Sequence, residues 1–200
     1  MLCSTHRLIA NKVYEIMTSE LGMPIDYESL LNGSVAPDKK PYMIIIPHTK
    51  NQSLGFLNRY FNWMADKSLP KKFENLKEVS YKLGIIIHFV SDYFCTAHND
   101  VKFINPVTHY IYEKRLKHFF NKKISRVQFD VKKCLYDIPG NLNDFINKKH
   151  KEYLSGKRNM ENDFYFSLEA VITVITYIVN NLLKEYDFGF FAKREQLLFA

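Results

Sequence analysis

The sequence predicts an all-α protein, a single-domain helical bundle, and three observations carry that prediction. Apolar residues recur at three- and four-residue spacing through most of the chain, the period of a helix with one buried face. Glycine and proline number seven each in 200 residues, few for a protein built on β-turns. Hydrophobic residues make up 46% and aromatics 15%, which excludes a disordered chain and suffices for a packed core. No internal repeat, low-complexity tract or linker divides residues 1–200, so one domain is expected.

The first helix is expected over residues 6–21, where Leu8, Ile9, Val13, Ile16 and Met17 share a face, and it stops at Gly22 and Pro24. Residues 31–51, with three prolines and one glycine, read as a long loop. Loops of that length in compact domains are often functional, and this one carries Asp38 and His48. A second helix is expected over 52–66, through Leu54, Leu57, Phe61 and Met64, with Leu69-Pro70 breaking the pattern. A third runs from Glu74 to Phe94 through Leu76, Val79, Leu83, Ile86 and Ile87. Residues 95–106 form a break rich in Asn99, Asp100, Asn105 and Pro106, and the next helix spans Val107 to Lys122. Residues 125–150 read as helical with an interruption at Pro139-Gly140. The polar, basic stretch 148–162 reads as an exposed connection. A long apolar helix then starts at Asp163 or Ser167 and continues to Tyr186, and residues 190–200 leave room for a short last helix.

The net charge of +7 fits phosphate-bearing partners such as nucleic acid or anionic lipid. It fits equally the Lys- and Asn-rich bias of an AT-rich genome, and both explanations stand. Cys3, Cys95 and Cys134 are odd in number and widely spaced, which excludes a disulfide framework and thiolate zinc sites. The opening MLCSTHRLIA has no apolar core or cleavage site of a signal peptide, so a soluble, cytoplasmic protein is expected. The longest apolar run, Ala170 to Val179, is too short to span a bilayer.

The chemistry is concentrated in the histidines. His88 precedes Asp92 by four residues, and His109 precedes Glu113 by four. On a helix each pair shares a face and can converge on one ion. His98 lies between the pairs, and imidazole with carboxylate is the ligand mix of catalytic zinc. The first pair sits in GIIIHFVSDYF, where an ionised aspartate is costly unless it is paired or metal-bound. A neutral histidine hydrogen-bonded to aspartate explains one such pair equally well. It does not explain two pairs with a histidine between them. HxxxD followed by His at that spacing arises by chance in roughly one chain in a hundred, and adding HxxxE lowers this to the order of one in several thousand.

The order His6, Asp38, His48, His88-x3-Asp92-x5-His98, His109-x3-Glu113 resembles the zinc-dependent phospholipase C family of bacteria, which shares its fold with the fungal and plant single-strand-specific nucleases. GSVAPD, ending at Asp38, is similar to the family's acidic loop, and the resemblance covers residues 1 to about 120. It implies an all-α cleft in which zinc ions and activated water cleave a phosphodiester. By motif position it implies that His48, His88, Asp92 and Asp38 hold a first zinc, and that His98, His109 and Glu113 hold a second. His6 joins a third, bridged to the first by Asp92, together with the amine of residue 1. That residue is usually Trp and here is Met1, five positions before His6. Two or three zinc ions are therefore expected, with Asp38 orienting or deprotonating water and Asp92 as the second catalytic carboxylate.

At the places matching the family's choline cage stand Ser4, Lys39 and Ile45, so the resemblance implies that this cage is absent. Tyr42, Phe89 and Tyr93 are candidates for stacking a base, with a core role as the competing explanation. Lys39 and Lys40 either contact phosphate or form a solvated charge pair. Cys95 is expected to pack rather than react, and His118 and His150, outside the pattern, to lie on the surface. The expected partner is a phosphodiester, either a phospholipid head group or nucleic acid, with peripheral membrane contact and no transmembrane segment. A phospholipase C-like hydrolase leads. A nuclease or nucleotide phosphohydrolase of the same fold and a catalytically weak, zinc-stabilised binding protein are the alternatives.

Overall fold

The structure is a computed structural model and describes residues 1–65, 75–131 and 141–185. All regular structure among these residues is helical: α1 Cys3–Glu20, α2 Tyr27–Lys39, α3 Pro41–Ile44, α4 Lys50–Ala65, α5 Leu76–Tyr93, α6 Thr96–Asn99, α7 Pro106–Lys123, α8 Leu142–Ser155 and α9 Met160–Glu185, with 3-10 turns at Val101–Phe103 and Ile124–Arg126. The chain is all-α, as the sequence predicts. The expected features at Leu69-Pro70, Glu74, Cys134, Pro139-Gly140, Tyr186 and residues 190–200 lie outside the described residues.

α5 is the axis of the bundle. Asn75 caps it by accepting from Glu78 N at 3.2 Å while its Nδ2 donates to Glu78 Oε2 at 2.8 Å, a reciprocal arrangement that satisfies first-turn donors. From Leu83 to Tyr93 every residue is buried, so α2, α4, α9 and α1 pack around it. α9 has the length and a mean hydropathy of 1.3 over Met160–Leu182 that a spanning helix has, yet 67% of that window is buried inside the bundle. Its aliphatic residues Val171, Ile172, Val174 and Ile175 are fully buried, as in the core helix of a globule.

The largest departure from the sequence reading is in residues 31–51. Two thirds of the expected loop is helix: α2 runs through Asp38 and α3 follows directly. Asp26 caps α2 by accepting from Ser29 N at 2.9 Å, and Leu30, Gly33, Ser34 and Pro37 form one buried face. Pro37 falls in the last turn, where the missing N–H removes one bond instead of breaking the element. Packing then outweighs the breaker residues. A Cβ on Gly33 would stand 2.0 Å from the Tyr81 carbonyl oxygen, and one on Gly84 2.3 Å from that of Leu30. The two backbones therefore touch at a point where only glycines fit. One turn further on, the same contact lays α2, with Ser34 and Asp38, against His88.

The stretch 148–162 also differs. It is helical to Ser155, and His150 and Tyr153 are buried. His150, expected on the surface, stacks edge-on with Phe94 at 5.9 Å and its Nε2 lies 3.0 Å from Asn99 Oδ1. Its alternation with exposed lysines hid this face. His118 is exposed, as expected.

A second buried polar group ties α6, α7, α8 and α9 together. Asp163 accepts from Thr96 N at 2.8 Å, Thr96 Oγ1 at 2.7 Å, Tyr112 OH at 2.8 Å and Tyr153 OH at 2.7 Å. Thr96 precedes His98 by two residues and Tyr112 precedes Glu113 by one, so this carboxylate sets the distance between two elements of the site.

Candidate metal centre

α5 presents His88, Ser91 and Asp92 along one face, all fully buried. Asp92 stands at the centre, and its two oxygens divide the surrounding nitrogens. Oδ2 lies 2.9 Å from His48 Nδ1 and 3.3 Å from His88 Nε2. Oδ1 faces His6 Nε2 at 3.4 Å, His98 Nε2 at 3.3 Å and the amine of Met1. Asp38, in the last turn of α2, places Oδ1 3.7 Å from both His48 Nδ1 and His88 Nε2. From α7, Glu113 Oε1 lies 2.9 Å from His109 Nε2, 3.3 Å from His98 Nε2 and 2.9 Å from the Met1 amine. The structure thus brings together all nine groups named from the sequence. The Met1 amine sits between Asp92 and Glu113 and touches both sets of groups.

Outer hydrogen bonds decide which nitrogen of each imidazole faces inward. His88 Nδ1 donates to the Ser34 carbonyl at 2.9 Å, and His109 Nδ1 to the Phe103 carbonyl at 3.3 Å. The Ser91 hydroxyl donates to the His88 carbonyl at 2.9 Å, so its oxygen accepts from His6 Nδ1 at 3.0 Å. The Nε2 atoms of His6 and His88 are therefore assigned as lone-pair bearers, and each faces an Asp92 oxygen that also only accepts, whereas His109, raised above its usual value by its hydrogen bond to Glu113, donates through Nε2 as well. His6 Nε2 is buried without a hydrogen-bond partner, an arrangement that costs about 1–3 kcal/mol. A divalent cation between these acceptors satisfies them together. Imidazole nitrogen and carboxylate oxygen are donors zinc accepts, held by the outer bonds that orient metal-binding histidines. The residues fit zinc. Ligand atoms within 4.8 Å of one another occur in His6–His88–Asp92, Asp38–His48–His88, His48–Asp92–His98 and Cys95–His98–Glu113, groups that could each hold an ion.

The electrostatics agree with that chemistry. Burial holds the His6 imidazole well below its usual value and His88 at about 4, despite Asp92 and, for His88, Asp38, so both rings are neutral at pH 7. Burial pushes Asp92 upward, but the Met1 ammonium first, with His98 and the His48 hydrogen bond, outweighs it and holds the carboxyl well below its usual range. Glu113 is held low by the same ammonium and by His109 and His98, again against burial. Burial disfavours the Met1 ammonium, yet Asp92 and Glu113 push it up to about 12.

Other expectations divide. Cys95 is fully buried and burial pushes its thiol well above the usual value, so it packs, as expected. Phe89 and Tyr93 are fully buried core residues, the Tyr93 hydroxyl held at 3.0 Å by Ser53 Oγ, and neither is open to a base. Tyr42 is 63% exposed, and Lys39 and Lys40 are solvated. The orienting groups Ser34, Ser91 and Phe103 were not foreseen. Two act through backbone carbonyls, which leave no trace in residue type, whereas Ser91 was accessible as the third member of the 88–91–92 helical face.

A family model described as zinc dependent phospholipase C matches residues 5–160. No curated protein and no solved structure matches the chain. With well over half of its 200 residues matched, on a fold that gathers imidazoles and carboxylates around Asp92, the chain belongs to the zinc-dependent phospholipase C family.

Proposed function

We propose that the protein is a metal-dependent phosphodiester hydrolase of the phospholipase C type, acting on a phospholipid and built as one domain over residues 1–200. The observation that supports it best is His6 Nε2, buried without a hydrogen-bond partner and 3.4 Å from an Asp92 oxygen, within a cluster of imidazole and carboxylate ligand atoms that lie within 4.8 Å of one another. On this reading His48, His88, Asp92 and Asp38 hold one zinc, His98, His109 and Glu113 a second, and His6 with the Met1 amine and Asp92 a third. Zinc held there supplies Lewis acidity, which activates water and stabilises negative charge building at phosphorus.

The chain's own residues do the rest. Asp92, fully buried, links the two halves of the cluster through its separate oxygens. Asp38 is the most open of the three carboxylates, at 22% side-chain exposure against 0% for Asp92 and 9% for Glu113. It is therefore the group placed to take a proton from water and release it to solvent. Its Oδ2 accepts from Cys3 Sγ at 3.3 Å, which orients the carboxylate and leaves Oδ1 toward His48 and His88. The burial of Phe89 and Tyr93 removes two of the three rings that a nuclease reading relied on.

The test is hydrolysis of phosphatidylcholine, phosphatidylglycerol, bis-p-nitrophenyl phosphate and single-stranded DNA by zinc-loaded protein, alongside metal analysis. Two or three zinc ions per chain and turnover of a phospholipid are expected, with both lost in His88→Ala. Full activity in a folded His88→Ala protein rejects the assignment.

A further inference from the structure

A cleft of about 700 Å³ opens beside His98, which is one of its lining residues. Its wall carries two cations from distant parts of the chain, Lys50 at the start of α4 and Arg158 between α8 and α9. Lys50 Nζ donates to Asn147 Oδ1 at 2.7 Å and Arg158 Nη1 to the Asn99 carbonyl, both neutral acceptors. Among the described residues neither cation pairs with a carboxylate. Asp100 is the acidic side chain in the wall, and its Oδ1 is used in accepting from Lys102 N at 3.0 Å. The positive potential is felt by His150, also in the wall: burial first, then Lys50 and Arg158, hold its imidazole down at about 4.

Besides neutral polar side chains such as Thr49, Asn51 and Gln52, the wall carries exposed aliphatic ones. Val101 and Ile104 are each 79% exposed, and Leu154 is 37% exposed. These aliphatic side chains line a cavity in front of a polar centre instead of entering the core, which leaves them for an apolar ligand. Phe103 is the aromatic carbocycle among the described lining residues, so no pair of rings is present to sandwich a base. A cleft with unpaired cations at one part and exposed aliphatics at another matches an anionic amphiphile.

We propose that this cleft is a substrate-recognition site selecting phospholipids with an anionic head group, with Lys50 and Arg158 pairing with head-group charge and Val101, Ile104 and Leu154 lying against the apolar part. The proposal rests on the phosphodiesterase reading of the neighbouring centre, since His98 is shared by both. Its content is separate, because it concerns charge selectivity and not bond cleavage.

The experiment is calorimetric titration of zinc-loaded protein with short-chain phosphonate analogues of phosphatidylserine, whose head group adds a carboxylate to the shared phosphate position, and of phosphatidylcholine. Carbon replaces the glycerol-side bridging oxygen, so binding is read without turnover. The anionic analogue is expected to bind about ten-fold or more tightly, the scale of one charge-assisted contact. Lys50→Gln/Arg158→Gln is expected to erase the difference, and the preference to shrink as salt rises. Arg158→Gln alone, at an exposed position, serves if the double variant melts early. Equal affinities, no binding of either analogue, tighter binding of a dinucleotide, or a preference that survives in the folded variant overturns the proposal. Anionic preference without hydrolysis of any phosphodiester sinks the catalytic reading and leaves the recognition site standing. Hydrolysis without charge preference does the reverse.

Discussion

Asp163 and Asp92 are both buried carboxylates in one bundle, and they are surrounded in opposite ways. Asp163 accepts four hydrogen bonds from groups that bring their own proton: Thr96 N, Thr96 Oγ1, Tyr112 OH and Tyr153 OH. Burial pushes its pKa up, and these donors pull against that without reversing it. Asp92 is contacted by the Met1 ammonium and by His48 Nδ1 at 2.9 Å, also faces the lone pairs of His6 and His88, and is held well below its usual range. A carboxylate ringed by neutral donors is complete as it stands and serves packing. One that also faces the lone pairs of buried imidazoles leaves those acceptors unmatched without further positive charge, which is what a bound metal ion would supply. The two are connected, because the Asp163 network holds α6 and α7, which carry His98, His109 and Glu113.

Exchanging each carboxylate for its amide tests this contrast most sharply. Asp92→Asn is expected to lower zinc-dependent phosphodiesterase activity by about 100-fold or more, since removing even an outer-sphere partner costs 10–100-fold. Bound zinc is expected to fall with it, and retained zinc with unchanged turnover would break the distinction. The next largest effect is on stability. Removing zinc with a chelator is expected to lower the melting temperature of the wild-type protein by roughly 10 °C, from about 4 kcal/mol of binding at a thousand-fold excess over Kd. An unchanged melting curve after verified metal removal counts against a centre formed by folding.

Asp163→Asn should lower the melting temperature by roughly 4–8 °C, from about 2 kcal/mol for donors left unpaired. A loss should appear in chelated as well as in zinc-loaded protein, whereas a loss seen only in the zinc-loaded protein would place Asp163 in the metal centre. The smallest effect concerns His150, whose pKa is lowered from 6.5 to about 4. Below about pH 6.5 the unfolded chain takes up this proton while the folded one does not, so its contribution to stability is full above that pH and lost as pH falls towards 4. In chelated protein, His150→Gln is expected to flatten this part of the stability profile, read from urea midpoints. Parallel profiles for the two proteins would refute it.

The fold class was legible because helical periodicity is local: Leu76, Val79, Leu83, Ile86 and Ile87 mark α5 from spacing alone. The candidate site was legible because His88-x3-Asp92 and His109-x3-Glu113 lie within single helices, where four residues return to the same face. What local pattern misread was the stretch 31–51, where three prolines and a glycine suggested a loop and the structure places most of α2 and all of α3. Gly33 reads as a breaker in sequence, yet it is the residue that lets α2 touch α5. His150 was misplaced for the same reason, and the role of Asp163 went unread, their partners Asn99, Thr96 and Tyr112 being about fifty residues or more away.

Residue type and spacing by themselves determined that the chain is helical and that its histidines and carboxylates come in pairs sharing a helix face, since both properties reside in a few consecutive turns. Tertiary structure alone decided which oxygen of Asp92 faces which imidazole and which nitrogen of each ring turns inward. It also decided that Lys50 and Arg158 meet across one cleft. Those relations depend on the crossing of helices distant in sequence, and the direction of a lone pair is set by a hydrogen-bond partner on another element.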